Sequence, residues 1–378
     1  MTATRMRLFT PGPVEIPPRI LGVLAQAPPH HRTEGFRETL KRVTARLAWL
    51  HGTEGEVFLL AASGTGAMEA AVTSVLSPGS RALAIAGGKF GERWVALLKA
   101  YGVAHEALEV EWGAGVDPDE VARRLDRDPA LETVFATHSE TSTGALHDVE
   151  ALARVTRARG RRLVVDAITG VGVHPLPQDR WGIDVVVCGS QKGLMIPPGI
   201  ATVSLAPWAK QAIEGEGLPR FYFDLRRYRK SAPLGETPFT PPVSLVLALE
   251  ESLAMIAEEG LEAVYQRHRR VALATRAGGQ ALGFQLFPSS PSHAVTALVP
   301  PEGIDGGALV KRLRERHGMV IAGGQDRLKG RIIRIGHMGA YDLPDIDALL
   351  QALEECVAAL GRPATGALPA ARAAWKHA

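Results

Sequence analysis

The chain has 378 residues, of which 46% are hydrophobic, enough apolar material for one large domain with a smaller one beside it. Lys+Arg number 43 against Asp+Glu 40, a net charge of +3, which is no argument for nucleic-acid binding, since that demands a concentrated basic face. No apolar run approaches the roughly 18 residues of a membrane span, and residues Met1 to Arg7 lack the apolar core of a secretory signal, so a cytoplasmic protein is expected.

Residues 1–20 carry Pro11, Pro13, Pro17 and Pro18, which predicts an extended arm with a tight turn at Pro11-Gly12-Pro13. Phe36, Leu40, Val43, Leu47 and Leu50 recur at helical spacing. Short apolar runs then alternate with amphipathic stretches: strands are expected near 56–60, 81–86, 103–110, 133–137, 162–166, 183–189 and 201–205. Helices are expected after Ser63-Gly64-Thr65-Gly66, over 90–101, from the Asp117-Pro118 cap onward, and over 149–159. Buried strands separated by helices predict an α/β fold with a mainly parallel, doubly wound sheet. The basic, aromatic run from Arg220 to Lys230 reads as a solvated or interface loop, because Asp224 interrupts it. Two long helices are expected between Val243 and Leu282, followed by a smaller α+β unit with strands near 293–299, 319–322 and 331–335. The Ala-rich residues 361–378 predict a frayed tail. The expected organisation is an arm (1–20), a large domain (21–250), a small domain (251–361) and a flexible tail (362–378). Cys188 and Cys356 have no metal-ligand spacing and read as reduced, buried thiols; no metal site is expected.

Three features carry chemistry. Ser63-Gly64-Thr65-Gly66 lies between a strand and a helix, where backbone N–H groups and hydroxyls form an anion seat suited to one phosphate. It is neither the dinucleotide fingerprint, whose third glycine is replaced by Glu69, nor a P-loop. Asp166 ends the apolar run from Arg162, at the carboxyl edge of the sheet, where an acid can hold a protonated ring nitrogen. Lys192 follows the next apolar run, Val185 to Gly189; partly desolvated, its amine can lose a proton near neutral pH and act as a nucleophile. Phosphate seat, strand-end acid and strand-end lysine follow one another in the order of a pyridoxal-phosphate enzyme.

Ser63 to Ala70, His138-Ser-Glu-Thr-Ser-Thr-Gly144, Val165-Asp166, Gly189-Ser-Gln-Lys192 with Pro197-Pro198-Gly199, and Ile333-Arg334-Ile-Gly336 together resemble the class V aminotransferases, in particular the alanine–glyoxylate and serine–pyruvate branch. The resemblance runs in register from Leu8 to about Leu360 and implies fold type I, pyridoxal 5'-phosphate as cofactor, and a homodimer with shared active sites. It makes Lys192 the Schiff-base lysine and Asp166 the partner of the ring nitrogen. Ser63, Gly64, Thr65 and Gln191 would seat the phosphate, Phe90 would stack on the ring, and Ser142 would lie near the phenolic oxygen. Arg334 would clamp the substrate carboxylate, and Gly12 would offer backbone contact to the substrate. Thr240 matches the position that reaches the neighbouring subunit's phosphate. Thr237 stands where that branch carries a tyrosine, Thr65 where a histidine can occur, and Phe90 where a tryptophan occurs. Glu15, Arg32 and His138 are further candidates for substrate contact. The implied reaction moves an amino group from a small amino acid such as alanine or serine to a 2-oxo acid such as glyoxylate or pyruvate. A class V lyase or decarboxylase, an aspartate-type aminotransferase, and a non-catalytic accessory subunit are the alternatives; a cysteine desulfurase would need a mobile cysteine and a histidine where Gln191 stands.

Overall fold

Seven strands form the central sheet of the computed structural model, which describes residues 6–215 and 217–378. They are β1 (Glu56–Ala62), β2 (Arg81–Ala86), β3 (Ala104–Glu109), β4 (Leu131–Thr137), β5 (Arg162–Asp166), β6 (Val185–Gly189) and β7 (Gly199–Leu205), side by side in the order β1-β7-β6-β5-β4-β2-β3. Every pairing is parallel except the two made by β7, which runs antiparallel between β1 and β6. The chain is an α/β protein with a large, mainly parallel sheet, as expected. Alternating residues of the inner strands feed two cores: Val134, Val165 and Val186 pack on one face, and Phe135, Val164 and Val187 on the other. Helices Gly64–Val75 and Lys89–Ala100 cover the second face with Met68, Val72, Trp94 and Leu98. Helices Glu34–His51 and Val243–Glu259 cover the first with Leu40, Val43, Leu47 and Leu249.

The second unit holds a four-stranded antiparallel sheet, β8 (Gln285–Leu286), β9 (Val295–Val299), β10 (Ala322–Gly323) and β11 (Ile333–Gly336), in the order β8-β9-β11-β10. Helix Leu261–Ala281 crosses between the cores: Val264 packs in that of the large sheet, and Val271 and Ala274 in that of the small one. The expected boundary after residue 250 falls inside helix Val243–Glu259, whose Leu253 and Ile256 remain in the large core.

The ends of the chain differ from expectation. The proline-rich arm is only partly irregular: Arg7–Leu8 pairs in parallel with Met319–Val320, Phe9 is fully buried in the small core, and a helix starts at Pro18, a residue suited to a first turn. Residues 1–5 of the arm lie outside the described residues. The stretch expected to fray contains helix Ala367–Lys376, whose Ala367 and Ala371 are fully buried in the small core with Val271 and Ala274. Alanine lets two helices approach closely, so the composition that reads as a loose tail serves as a packing face. A charge at that face has no room and no partner; Ala371→Asp should cost ~2–3 kcal/mol, read as a melting temperature lower by several degrees. An unchanged melting curve would show that this helix is not docked in solution.

Candidate active site

β5 and β6 are parallel neighbours, with Asp166 paired to Val187, so both deliver their carboxyl ends to the same edge of the sheet. Asp166 ends β5, is 3% exposed, and its Oδ1 accepts one hydrogen bond, from Ile168 N at 2.9 Å. Burial pushes this carboxyl up to about 7, and the neighbouring Glu140 charge adds to the rise. Lys192 stands three residues beyond β6 and is 8% exposed; its Nζ donates to Pro11 O. Burial pushes the lysine down to about 8, assisted by Arg334 and Arg93 and opposed by Asp166. Gly12 lies directly over the lysine: its φ of +97° favours glycine, and a Cβ there would come within 2.4 Å of Lys192 Cδ and Nζ. The arm thus closes over the lysine at the residue expected to meet substrate.

Ser63 is the N-cap of helix Gly64–Val75, and its hydroxyl makes no capping bond, which leaves the first amides of the helix facing outward. A Cβ at Gly64 would lie 2.4 Å from Ile168 Cδ1, so the helix start and the loop after Asp166 are in close contact. Thr65 Oγ1 accepts from Arg93 Nη1 at 3.0 Å. The Gln191 Oε1 atom is buried without a hydrogen-bond partner among the described residues, in the turn that carries Lys192. Phe90 is half-buried at the start of helix Lys89–Ala100, with the Arg93 guanidinium 4.7 Å from its ring centroid. Arg93, one turn along the same helix, reaches Thr65 and acts electrostatically on both Asp166 and Lys192.

Arg334, in the middle of β11, is 6% exposed; Nε donates to Gly323 O and Nη1 to Thr141 O, each at 2.8 Å. Burial pushes its guanidinium down to about 10, with Glu140 acting the other way. Nη2 makes no hydrogen bond among the described residues, so the fork retains donor capacity for a carboxylate.

The hydroxyl of Ser142 is engaged by groups of the protein itself. It donates to Glu140 Oε1 at 2.6 Å and accepts from Lys89 N at 3.1 Å, in a residue with no exposed surface. Glu140 was passed over in the sequence. It sits in the hairpin formed by Ser139–Glu140 and Ala145–Leu146, where local patterning is too short to predict a strand pair.

Thr237 and Thr240 belong to a different part of the surface. They line a cavity of about 360 Å³ with His31, Arg32, Phe239 and Pro241, and the Thr237 hydroxyl donates to Phe239 O at 2.6 Å. Within one chain that cavity does not include Lys192 or Asp166. Of the remaining candidates, Glu15 Oε2 accepts from Leu8 N at 3.2 Å, beside Arg7 and Tyr341. His138 is buried with Nδ1 unpartnered and burial pushes it down to about 3, so it is neutral; its backbone N donates to Asp166 O at 2.8 Å. The described residues contain no group of three or more His, Cys, Asp or Glu side chains that could hold a metal, and no helix among them is long and apolar enough to cross a membrane.

The residues fit pyridoxal phosphate. A buried acid with a single amide partner has room for a protonated ring nitrogen, and an unpartnered Gln191 oxygen and an open helix N-terminus stand close to a desolvated amine. Such a constellation defines a pyridoxal-phosphate-dependent enzyme. The aminotransferase class-V family model matches residues 26–339. The chain is 45% identical over 374 residues to the soluble hydrogenase small subunit of Synechococcus sp., covering 97% of each chain. It is 35% identical to the serine–glyoxylate aminotransferase of Methylorubrum extorquens, covering 92% of this chain and 90% of that one. The crystal structure of a subgroup IV aspartate aminotransferase from Thermus thermophilus superposes with a TM-score of 0.87 at 36% identity, covering 93% and 99%. The chain belongs to the class V aminotransferases.

The depressed lysine predicts a pH profile for cofactor capture. The neutral fraction of Lys192 rises about tenfold per pH unit up to about 8 and then levels. The rate at which cofactor-stripped protein develops the visible absorbance of bound pyridoxal phosphate should follow the same curve. A rate still climbing tenfold per unit at pH 9–10 would show a lysine of ordinary basicity.

Proposed function

We propose that this class V aminotransferase transfers an amino group from a small amino acid, such as alanine or serine, to a 2-oxo acid, such as glyoxylate or pyruvate, by a ping-pong mechanism in the cytoplasm. The observation that carries the reading is the buried guanidinium of Arg334, coupled electrostatically to Lys192 and held by two carbonyls so that one edge remains to take one carboxylate. The name of the serine–glyoxylate relative supports this choice of donor and acceptor.

Bound pyridoxal phosphate supplies an electron sink that makes a proton on the substrate's α-carbon acidic. With the cofactor in place, Lys192 Nζ would be the group that takes up this proton and gives it back. A basicity near 8 suits an amine that must both accept and release it. Asp166 keeps the ring nitrogen protonated: its burial raises the cost of a lone carboxylate, and a proton held next to it on the ring removes that cost. Arg334 fixes the substrate carboxylate, which sets the direction in which the α C–H bond points. Gly12 and Pro11 cover the lysine and limit access of water. Ser63, Gly64, Thr65 and Gln191 would hold the phosphate, and Phe90 would cover the ring face.

The reading includes a homodimer in which Thr240, with Thr237 beside it, reaches the neighbouring subunit's phosphate; the exposed position of Thr240 and the half-buried one of Thr237 beside Arg32, in a cavity apart from Lys192, suit that role. Half-reactions test the whole reading. Alanine and serine should convert the bound cofactor stoichiometrically to pyridoxamine phosphate, and glyoxylate or pyruvate should regenerate it. Lys192→Ala should lose roughly 10²–10⁴-fold in turnover. Ammonia release without pyridoxamine phosphate would favour a lyase, and reaction with aspartate alone would move the donor to the dicarboxylates. Failure to take up cofactor at all would favour an accessory subunit, as the name of the Synechococcus relative suggests.

A further inference from the structure

Helix Lys89–Ala100 begins without a capping side chain, because its N-cap is Gly88. The missing cap comes from 50 residues further along the chain. Glu140 Oε2 accepts from Phe90 N and from Gly91 N, both at 3.0 Å, while Oε1 accepts from Ser142 N at 3.1 Å and from the Ser142 hydroxyl at 2.6 Å. The side chain has no exposed surface, and all four bonds are spent inside the protein. Burial pushes the Glu140 carboxyl above its ordinary range, the donors from Ser142, Gly91 and Phe90 act against that rise, and a group that receives four donors is held in a single orientation.

The residues fixed in this way surround the place assigned to the cofactor. Phe90, which would cover the ring face, is fixed through its own amide. The hairpin around Glu140 fixes Thr141, whose carbonyl accepts from Arg334 Nη1. Ser139, next to Glu140, accepts through its carbonyl from the Thr169 hydroxyl, three residues beyond Asp166. The Glu140 charge acts on both Asp166 and Arg334. Gly88 makes the arrangement possible: a Cβ there would lie 2.5 Å from Glu140 Cγ and Cδ and 2.6 Å from Ser142 Oγ.

We infer that Glu140 is a positioning residue for the cofactor and the substrate clamp, acting through Phe90, Thr141 and Arg334 rather than by touching the cofactor. Ser142 serves this carboxylate in place of the cofactor's phenolic oxygen. The inference rests on the assignment of the site as a pyridoxal-phosphate site.

The test compares holoenzymes by cofactor dissociation constant, by the visible circular dichroism of the bound cofactor, which reports how rigidly the ring is held, and by melting of the cofactor-free protein. Glu140→Gln keeps the size but replaces one acceptor oxygen by a donor. It should weaken cofactor binding about tenfold, reduce the visible dichroism by at least about half, and raise KM for the amino donor. Gly88→Ala, which retains the carboxylate but displaces it, should shift the same three readouts in the same direction and serves if Glu140→Gln does not fold. Asp305→Ala is the control: it removes the cap of helix Gly306–His317, where Asp305 Oδ1 accepts from Ala308 N at 2.6 Å. It should lower the melting temperature and leave cofactor affinity and dichroism as in the wild type. Wild-type affinity and dichroism in folded Glu140→Gln or Gly88→Ala would overturn the inference. Absence of a cofactor band in the wild type would instead overturn the assignment of the site beneath it.

Discussion

The site depends on two opposite charges taken out of water at the ends of neighbouring parallel strands. Asp166 and Lys192 are each held where burial alone would neutralise them, and each partly restores the other's charge. A saturated buried ion pair would be an inert structural feature. These two act on each other through their fields, not as a contact pair: Asp166 has one amide partner, and the lysine is tied to a backbone carbonyl of the arm. The parallel pairing of β5 and β6 is therefore a chemical constraint as well as a structural one, since it places both termini at one edge. A protonated heterocycle beside the acid and a carbonyl at the amine satisfy both groups at once, which is why pyridoxal phosphate fits there.

The second unit completes the site through backbone contacts. Arg334 is anchored on one side by Gly323 of its own sheet and on the other by Thr141 of the large unit, so its guanidinium spans the seam. The hairpin that supplies Thr141 is also tied to residues 290–292 by Leu146 N to Ser290 O, at 2.7 Å, and Ser292 N to Gly144 O, at 2.9 Å. Gly144, at φ +77°, leaves Ala297 of β9 against the hairpin where a Cβ would meet it at 3.0 Å. Arg334 and the sheet edge that carries Asp166 thus share one rigid connection, and a shift of either unit is felt at Arg334.

Strand-end chemistry and the strands themselves were legible in the sequence because both rest on local patterns. Buried β-branched runs give β5 and β6, and a single charged residue at the end of each stands out against them. The antiparallel direction of β7 was not legible, since a fully buried strand carries no mark of its orientation. The docking of helix Ala367–Lys376 was hidden by alanine, which signals neither face nor fraying. Glu140 was hidden for a different reason: its meaning lies in partners 49 and 50 residues away and in the missing side chain of Gly88. A glycine at a helix start with no Ser, Thr, Asp or Asn beside it is the one signal that a distant cap was required. The resemblance gives Ser142 a position near the phenolic oxygen, and it carries no sign of the bond that its hydroxyl makes to Glu140.

The central claim is that the desolvated amine of Lys192 is the one group of the chain that bonds to the cofactor. Borohydride reduction of the holoenzyme, followed by proteolysis and mass spectrometry, tests it directly. The account predicts one phosphopyridoxyl group per chain, on the peptide that contains Lys192, and none on that peptide in Lys192→Ala. Label on another lysine, or no label in protein saturated with pyridoxal phosphate, would contradict it.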